Sequence, residues 1–306
     1  RGNMKDLVLI HTDDYQNWTL GTHHPTQGIR YINAFNNIVK GVNEANIELD
    51  VREPRERDIQ SLLERVHEPD YVAKVIDAHE SYEWMGSNET LSRLAKMLAS
   101  GTLDALDLLL QGETLTAVHL PGAKHHAQYD HSSGFCVFAD FALAADIATE
   151  QGLKVAILDF DAHHGDGTEN LTLENKNVMT FSIHEKGLFP GTGLSDISEK
   201  FAFNRPLVAR ETDGEDLVTL VDEFCNLAKG FSADIVFVAA GADGHKTDPL
   251  SNLQWEIRDY ELVAHNLRIA LPATPILLGG AGGYQPHDIT PEVWTRISLS
   301  LTGTTI

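Results

Sequence analysis

The chain has 306 residues, with 23 Lys and Arg against 45 Asp and Glu, a formal net charge of −22. That excess argues against direct nucleic-acid contact, which needs a basic patch to neutralise phosphates. It favours cationic partners, or nothing more specific than a solvated acidic surface. Apolar residues at 42 % and charged residues at 22 % exclude a disordered chain. Cys136 and Cys225 are too few for a disulfide framework, so a reducing, cytoplasmic setting is expected. No apolar run approaches the ~20 residues that span a bilayer, so no membrane association is expected. Leu7 to Ile10, followed by His11-Thr12-Asp13-Asp14, is too short for a signal-peptide core. Arg1-Gly2-Asn3 ahead of Met4 reads as a cloning scar. The remainder, 4–306, contains no Pro/Gly/Ser linker and reads as one domain.

In chain order, a short apolar run at Leu7–Ile10 precedes a helical pattern over 28–46 and another over 89–110. A run at Ala117–Leu120 leads to a helix over 138–150, then come runs at Val155–Leu158 and Val178–Phe181. A helix over 214–229, a run at Ile235–Val238, a helix over 256–270 and a run at Ile276–Leu278 complete the pattern. Short uninterrupted apolar runs suit strands buried on both faces of a parallel sheet. Their alternation with helices predicts an α/β fold with helices on both faces.

Five of these strands run into polar, glycine-rich segments. They are Pro121-Gly122-Ala123-Lys124-His125-His126, Asp159 to Gly167, Ser182 through Gly193, Gly241-Ala242-Asp243-Gly244-His245 and Gly279 to Tyr284. In an open α/β sheet the ligand crevice lies outside the carboxyl ends of the strands. Each segment alone is a weak signal; their common placement is what points to a site.

Asp159, Asp161 and His163 are two apart, which directs all three to one face of a strand, away from Phe160 and Ala162. Unpaired carboxylates are poor core material. A divalent cation would offset that cost, and a mixed carboxylate and imidazole set suits zinc, with iron or manganese as alternatives. Asp243 would be a third ligand, leaving the open position of a catalytic site. The plainer reading is that these Asp residues cap turns. An adjacent pair such as His125-His126 is commonly structural, but Asp159 and Asp166 are available to set tautomer and basicity. General base and acid roles follow. Tyr284, delivered by a glycine-rich loop, could donate to an oxyanion. The rival phosphate cradle lacks its Lys-Ser/Thr sequel, since Gln285-Pro286 follows.

Asp159-Phe160-Asp161-Ala162-His163-His164-Gly165-Asp166-Gly167-Thr168 resembles the signature of the histone deacetylase superfamily. So do His125-His126 with Ser133-Gly134-Phe135-Cys136, then Phe189-Pro190-Gly191-Thr192-Gly193, Gly241-Ala242-Asp243 with Asp248-Pro249, and Gly282-Gly283-Tyr284. Weaker echoes are His24-Pro25 with Arg30, and His67 to Tyr71. The match is similar to a bacterial-type member and spans about residues 11 to 285. The resemblance implies a three-layer α/β/α arginase/deacetylase fold with a mainly parallel sheet of about eight strands. It implies a zinc-dependent amidohydrolase that removes an acyl group, above all acetyl, from the ε-amine of lysine in a protein or peptide. Asp161, His163 and Asp243 would hold zinc. His126 with Asp166 would be base and acid, His125 with Asp159 its electrostatic partner, and Tyr284 the transition-state donor. Gly134, Phe135 and Phe189 would line a narrow acyl-lysine tunnel, for whose aromatic members core packing is the plainer alternative. Potassium would sit on Asp159, Asp161, His163, Ser182 and Ile183.

The arginase branch of this fold, with two metals, is disfavoured by Gly165 in the fifth place after Asp161 and by His245 after Asp243-Gly244. An acetylpolyamine or other small acylated-amine deacetylase is the alternative substrate reading. Its relatives carry a gatekeeper Glu where this chain has Leu250, which resembles the acyl-lysine branch. A non-catalytic acyl-lysine reader would be expected to lose a ligand, the His pair or the Tyr, and none is lost. The segment 79–90 lacks the family's substrate-gripping Asp, leaving Glu80 or Glu83 as substitutes. Oligomeric state stays open.

Overall fold

The computed structural model describes residues 3–304. Arg1-Gly2 of the suspected scar and the last two positions of the expected 4–306 domain lie outside the described residues. One sheet carries β1 (Leu7–Ile10), β2 (Leu49–Arg52), β3 (Thr116–His119), β4 (Val155–Asp159), β5 (Val178–Glu185), β6 (Ala202–Leu207), β7 (Ile235–Ala239) and β8 (Ile276–Gly279). Its spatial order is β2-β1-β3-β8-β7-β4-β5-β6, with every pairing parallel. The helices are α1 (Ile29–Ala45), α2 (Ile59–Leu63), α3 (Pro69–Ile76), α4 (Glu89–Leu110), α5 (Asp140–Glu150), α6 (Asp166–Thr172), α7 (Gly214–Phe231), α8 (Ile257–Ala270) and α9 (Ile289–Ser300). The series α1, α9, α8, α7 packs side by side, and α4, α5, α6 form a second series. Helices on both faces are what an all-parallel sheet requires, because each return crossover must cover a buried face.

The six strands expected from apolar runs are the six central ones, and each is buried along its whole length. The two that escaped notice are the edge strands. β2 reads Leu-Asp-Val-Arg and is half-exposed, and β6 contains Pro206, tolerated because an edge strand need not donate on its outer side. The five expected helices all form. α1 buries Tyr31, Ala34, Ile38 and Val42 at helical spacing and stops at Asn46, whose φ of 55° is left-handed. Asn88 caps α4 by accepting the Leu91 N–H at 2.9 Å. The unexpected helices α2, α3 and α6 are short, and α6 starts inside the polar Gly165-Asp166-Gly167 segment. The fourth, α9, has Pro291 in its first turn, where a missing N–H costs nothing.

α9 fixes the loops that matter. The buried Trp294 indole donates to the carbonyls of Ala240 and Gly280, each at 3.0 Å, tying together the exits of β7 and β8. The same ring stacks on Tyr31 of α1 at 5.8 Å with planes 4° apart.

Candidate active site

β4 and β7 are neighbours with Asp159 opposite Ala239, so their exits lie side by side. Asp161 follows β4, and Asp243 sits in a single 3-10 turn, Ala242–Gly244, after β7. Backbone donors set both carboxylates. Asp161 Oδ1 accepts the His163 N–H at 2.9 Å and Oδ2 accepts the Gly282 N–H at 2.7 Å. Asp243 Oδ1 accepts the Ala162 N–H at 2.9 Å. His163 Nδ1 then lies 3.1 Å from Asp161 Oδ1 and 2.8 Å from Asp243 Oδ2. One ligand atom from each of the three falls within 4.8 Å of the others, and all three side chains are buried.

This set fits a divalent cation on several counts. Burial lifts Asp243 to about 7, reinforced by the charge of Asp161. Burial opposes the charged form of His163, yet its bonds to Asp161 and Asp243 outweigh that and hold it up at about 11. A proton held among buried carboxylates occupies the place a cation would take. The cradle also excludes side chains. A Cβ on Gly241 would stand 2.4 Å from Asp161 Oδ2, and one on Gly282 would stand 2.6 Å from Asp161 Oδ2 and 2.7 Å from Asp243 Oδ2. Three protein ligands leave an ion with an open position.

The adjacent histidines come from the loop after β3. His125 Nδ1 is 2.5 Å from Asp159 Oδ2, and its Nε2 is 3.7 Å from Asp161 Oδ1. His126 Nδ1 is 2.8 Å from Asp166 Oδ1, and Gln128 donates to Asp166 Oδ2 at 3.1 Å. Both rings are buried and stand 4.1 Å apart. Their protonation diverges. Burial disfavours the His125 imidazolium, but Asp159 and Asp161 overcome it and raise the group to about 9. Burial and then the charge on His125 push His126 down to about 4. Near neutral pH the pair therefore holds one cationic and one neutral ring, an environment that divides roles between like groups.

Tyr284 enters on the β8 loop. Its N–H donates to Asp248 Oδ2 at 2.9 Å, and Arg30 donates to the preceding carbonyl of Gly283 at 2.8 Å. Burial, then Asp243 and Asp161, keep its phenol well above its ordinary range, so the hydroxyl stays a donor. Phe135 meets Tyr284 edge-on at 6.0 Å, and Phe189 meets His126 edge-on at 5.1 Å. Phe189 is 49 % exposed, which excludes a core-packing role for that ring. Gly134, at φ 53°, lies between, where a Cβ would be 2.5 Å from His126 and 2.8 Å from Phe189. Leu250 is half-buried and its N–H donates to Asp248 Oδ1 at 2.9 Å. Ser182 faces Asp159 across the β4–β5 register, beside Ile183, with its Oγ 2.8 Å from His184 Nδ1. The structure thus places Asp159, Asp161, His163, Asp243, the His125-His126 pair, Ser182 and Tyr284 in or just after the carboxyl ends of β3, β4, β5, β7 and β8.

Three supports were not assigned from the sequence. Asp248 orients Tyr284 and Arg30 anchors its loop, although both stood in recognised motifs. Glu83 Oε2 accepts the Phe135 N–H at 3.1 Å, fixing a residue whose φ of 69° is strained, while Glu80 is exposed. Glu83 was raised from the sequence, with Glu80, as a substitute for the substrate-gripping Asp, and its bond to the Phe135 N–H is a further role.

An eight-stranded parallel α/β sheet carries a buried Asp-His-Asp cluster that could hold a metal ion, beside two carboxylate-paired histidines. The sequence profile of the histone deacetylase domain matches residues 24–301. The "Acetoin utilization protein AcuC" of Bacillus subtilis (strain 168) is 33 % identical, covering 98 % of this chain and 83 % of that protein. The AcuC of Staphylococcus aureus (strain MRSA252) is 30 % identical, covering 98 % and 82 %. The solved HDA15 HD domain superposes with a TM-score of 0.85 at 25 % identity, covering 99 % of this chain and 91 % of that one. The chain belongs to the histone deacetylase family and is a hydrolase acting on amide bonds. No helix among the described residues is long and apolar enough to cross a membrane.

Proposed function

We propose that this chain is a zinc-dependent deacylase acting on the ε-amide of acylated lysine in a peptide or protein. The observation that carries the reading is the convergence of Asp161, His163 and Asp243 with the two differently protonated histidines and the Tyr284 hydroxyl on one crevice. Asp161, His163 and Asp243 would hold the ion, and a bound divalent ion of this kind activates water and polarises a carbonyl. Iron could take the same place. Neutral His126, oriented by Asp166, takes the proton of the attacking water and returns it to the leaving amine, a role worth typically ~10²–10⁴ in rate. Cationic His125, paired with Asp159, offsets the negative charge that develops. Tyr284 donates its hydroxyl to the carbonyl oxygen as that oxygen gains charge. Phe135 and Phe189, spaced by Gly134, would flank the apolar stem of lysine, and Leu250 stands where polyamine-selective relatives carry a Glu. Asp159, Ser182 and the carbonyls of Asp161, His163 and Ile183 would hold potassium. Both cysteines are free and buried, which suits a reducing, cytoplasmic setting.

The test is a panel of acetyl-lysine peptides and acetylated polyamines with zinc-loaded and chelated protein. Turnover of the peptides, lost on chelation and restored by zinc, is the expected result. Turnover of polyamines alone would shift the substrate to the small-amine class, and no hydrolysis of any acylated amine would defeat the reading.

A further inference from the structure

A small pocket lined by Gly134, Phe135, His125, His126 and Tyr284 also takes in Thr26, Arg30 and Lys124. Arg30 is 3 % exposed and Lys124 is 7 % exposed. Two buried cations share one small space, and among the described residues neither lies within ion-pairing distance of a carboxylate. Lys124 Nζ reaches the Tyr31 hydroxyl at 3.4 Å, and Arg30 donates to that same hydroxyl at 2.9 Å. Two polar atoms there, Arg30 Nε and Thr26 Oγ1, are buried without a hydrogen-bond partner.

Buried charges are normally paired, and buried donors are normally satisfied. Two unpaired cations and two orphan polar atoms on one cavity wall describe the complement of an anion. Burial identifies which part of a substrate would carry it. Phe189 is exposed while Arg30 and Lys124 are buried in the pocket that Gly134, Phe135, His126 and Tyr284 also line, so a lysine entering at Phe189 would present its acyl end toward the two cations. The pocket's small size restricts that end to a short chain.

We propose that Arg30 and Lys124 form a carboxylate subsite that directs this enzyme toward lysines bearing a short dicarboxylic acyl group, such as malonyl. This inference rests on the deacylase reading above. The reaction stays a hydrolysis: water oxygen bonds to the acyl carbon, the amide C–N bond breaks, the amine leaves protonated, and the acyl group leaves as a dicarboxylate. No redox partner is involved. Lys124 separates this subsite from a plain acetyl pocket, because it adds a second positive charge to the one Arg30 already places there.

The experiment compares malonyl-lysine and butyryl-lysine versions of one peptide on zinc-loaded wild type, Lys124→Met and Lys124→Arg. Wild type is expected to favour malonyl over butyryl in kcat/KM. Lys124→Met should lower that ratio at least tenfold and Lys124→Arg should keep it within about threefold. Met matches the stem of Lys and removes an unpaired charge, so folding is retained, and a thermal melt checks this. A butyryl preference in wild type, or a ratio that Lys124→Met leaves unchanged, overturns the proposal. Strong inhibition by free acetate without malonyl preference would assign the cations to the released product and also overturn it. If no peptide is hydrolysed, the deacylase reading has failed, and calorimetric binding of the same two peptides still decides the subsite. Tighter malonyl binding that Lys124→Met abolishes supports it, and equal binding by both proteins refutes it.

Discussion

Tyr284 concentrates several constraints in one side chain. Its backbone is held by Asp248, its loop by Arg30, and its hydroxyl stays protonated because burial and the Asp243 and Asp161 charges oppose ionisation. In the proposed mechanism it does nothing but donate one hydrogen bond to an oxyanion. Removing that donor is expected to cost about 10²–10³ in kcat. Tyr284→Phe keeps ring, loop and ligands, so metal content by elemental analysis should match wild type while kcat collapses. Near-normal turnover with full metal would remove Tyr284 from the mechanism. Glu83 shows a different economy: its carboxylate serves the Phe135 N–H, so a residue suspected of gripping substrate also props up the tunnel wall.

Among elements, α9 is the one that joins layers. Trp294→Phe would leave the buried carbonyls of Ala240 and Gly280 without their shared donor. The expected loss is roughly 2–3 kcal/mol, read as a lower urea midpoint with an unchanged slope. An unchanged midpoint would mean the two loops are held by something else. α9 also marks where sequence reading stopped. The central strands were legible because both their faces are buried, which forces unbroken apolar runs. β2 and β6 were not, because edge strands mix polar residues and, in β6, a proline. Ligands and histidines were legible because their chemistry is uncommon outside a site. Asp248 and Glu83 were not, because they act on backbone N–H groups that any residue supplies, and only the folded chain shows which N–H is nearest. Lys124 was quoted in its motif without a role, since nothing before the fold revealed that it is buried beside Tyr31 and lines the same pocket as Arg30.

For the whole molecule, the −22 charge sets up a negative long-range field that attracts cations more strongly at low salt. Stability also has a pH limit written into buried histidines. Burial lowers His67 from 6.5 to about 4, against hydrogen bonding to the Gln128 and Tyr129 carbonyls that favours its proton. Burial and then Lys124 lower His119 to about 3. The unfolded chain binds these protons below pH 6.5 and the folded chain does not, so their contribution is complete above 6.5 and declines as pH falls toward 4 and 3. The thermal midpoint is expected to fall steeply between pH 6.5 and 4. A flat midpoint across that window would show that both rings take up protons while folded. The bond from the Gly282 N–H to Asp161 carries a consequence in time as well as in space. It closes a loop of more than a hundred residues, so a chain emerging from the ribosome carries Asp161 and His163 long before the donor that orients Asp161 arrives. Asp161 therefore gains its full set of backbone donors late in folding, once the loop after β8 is in place.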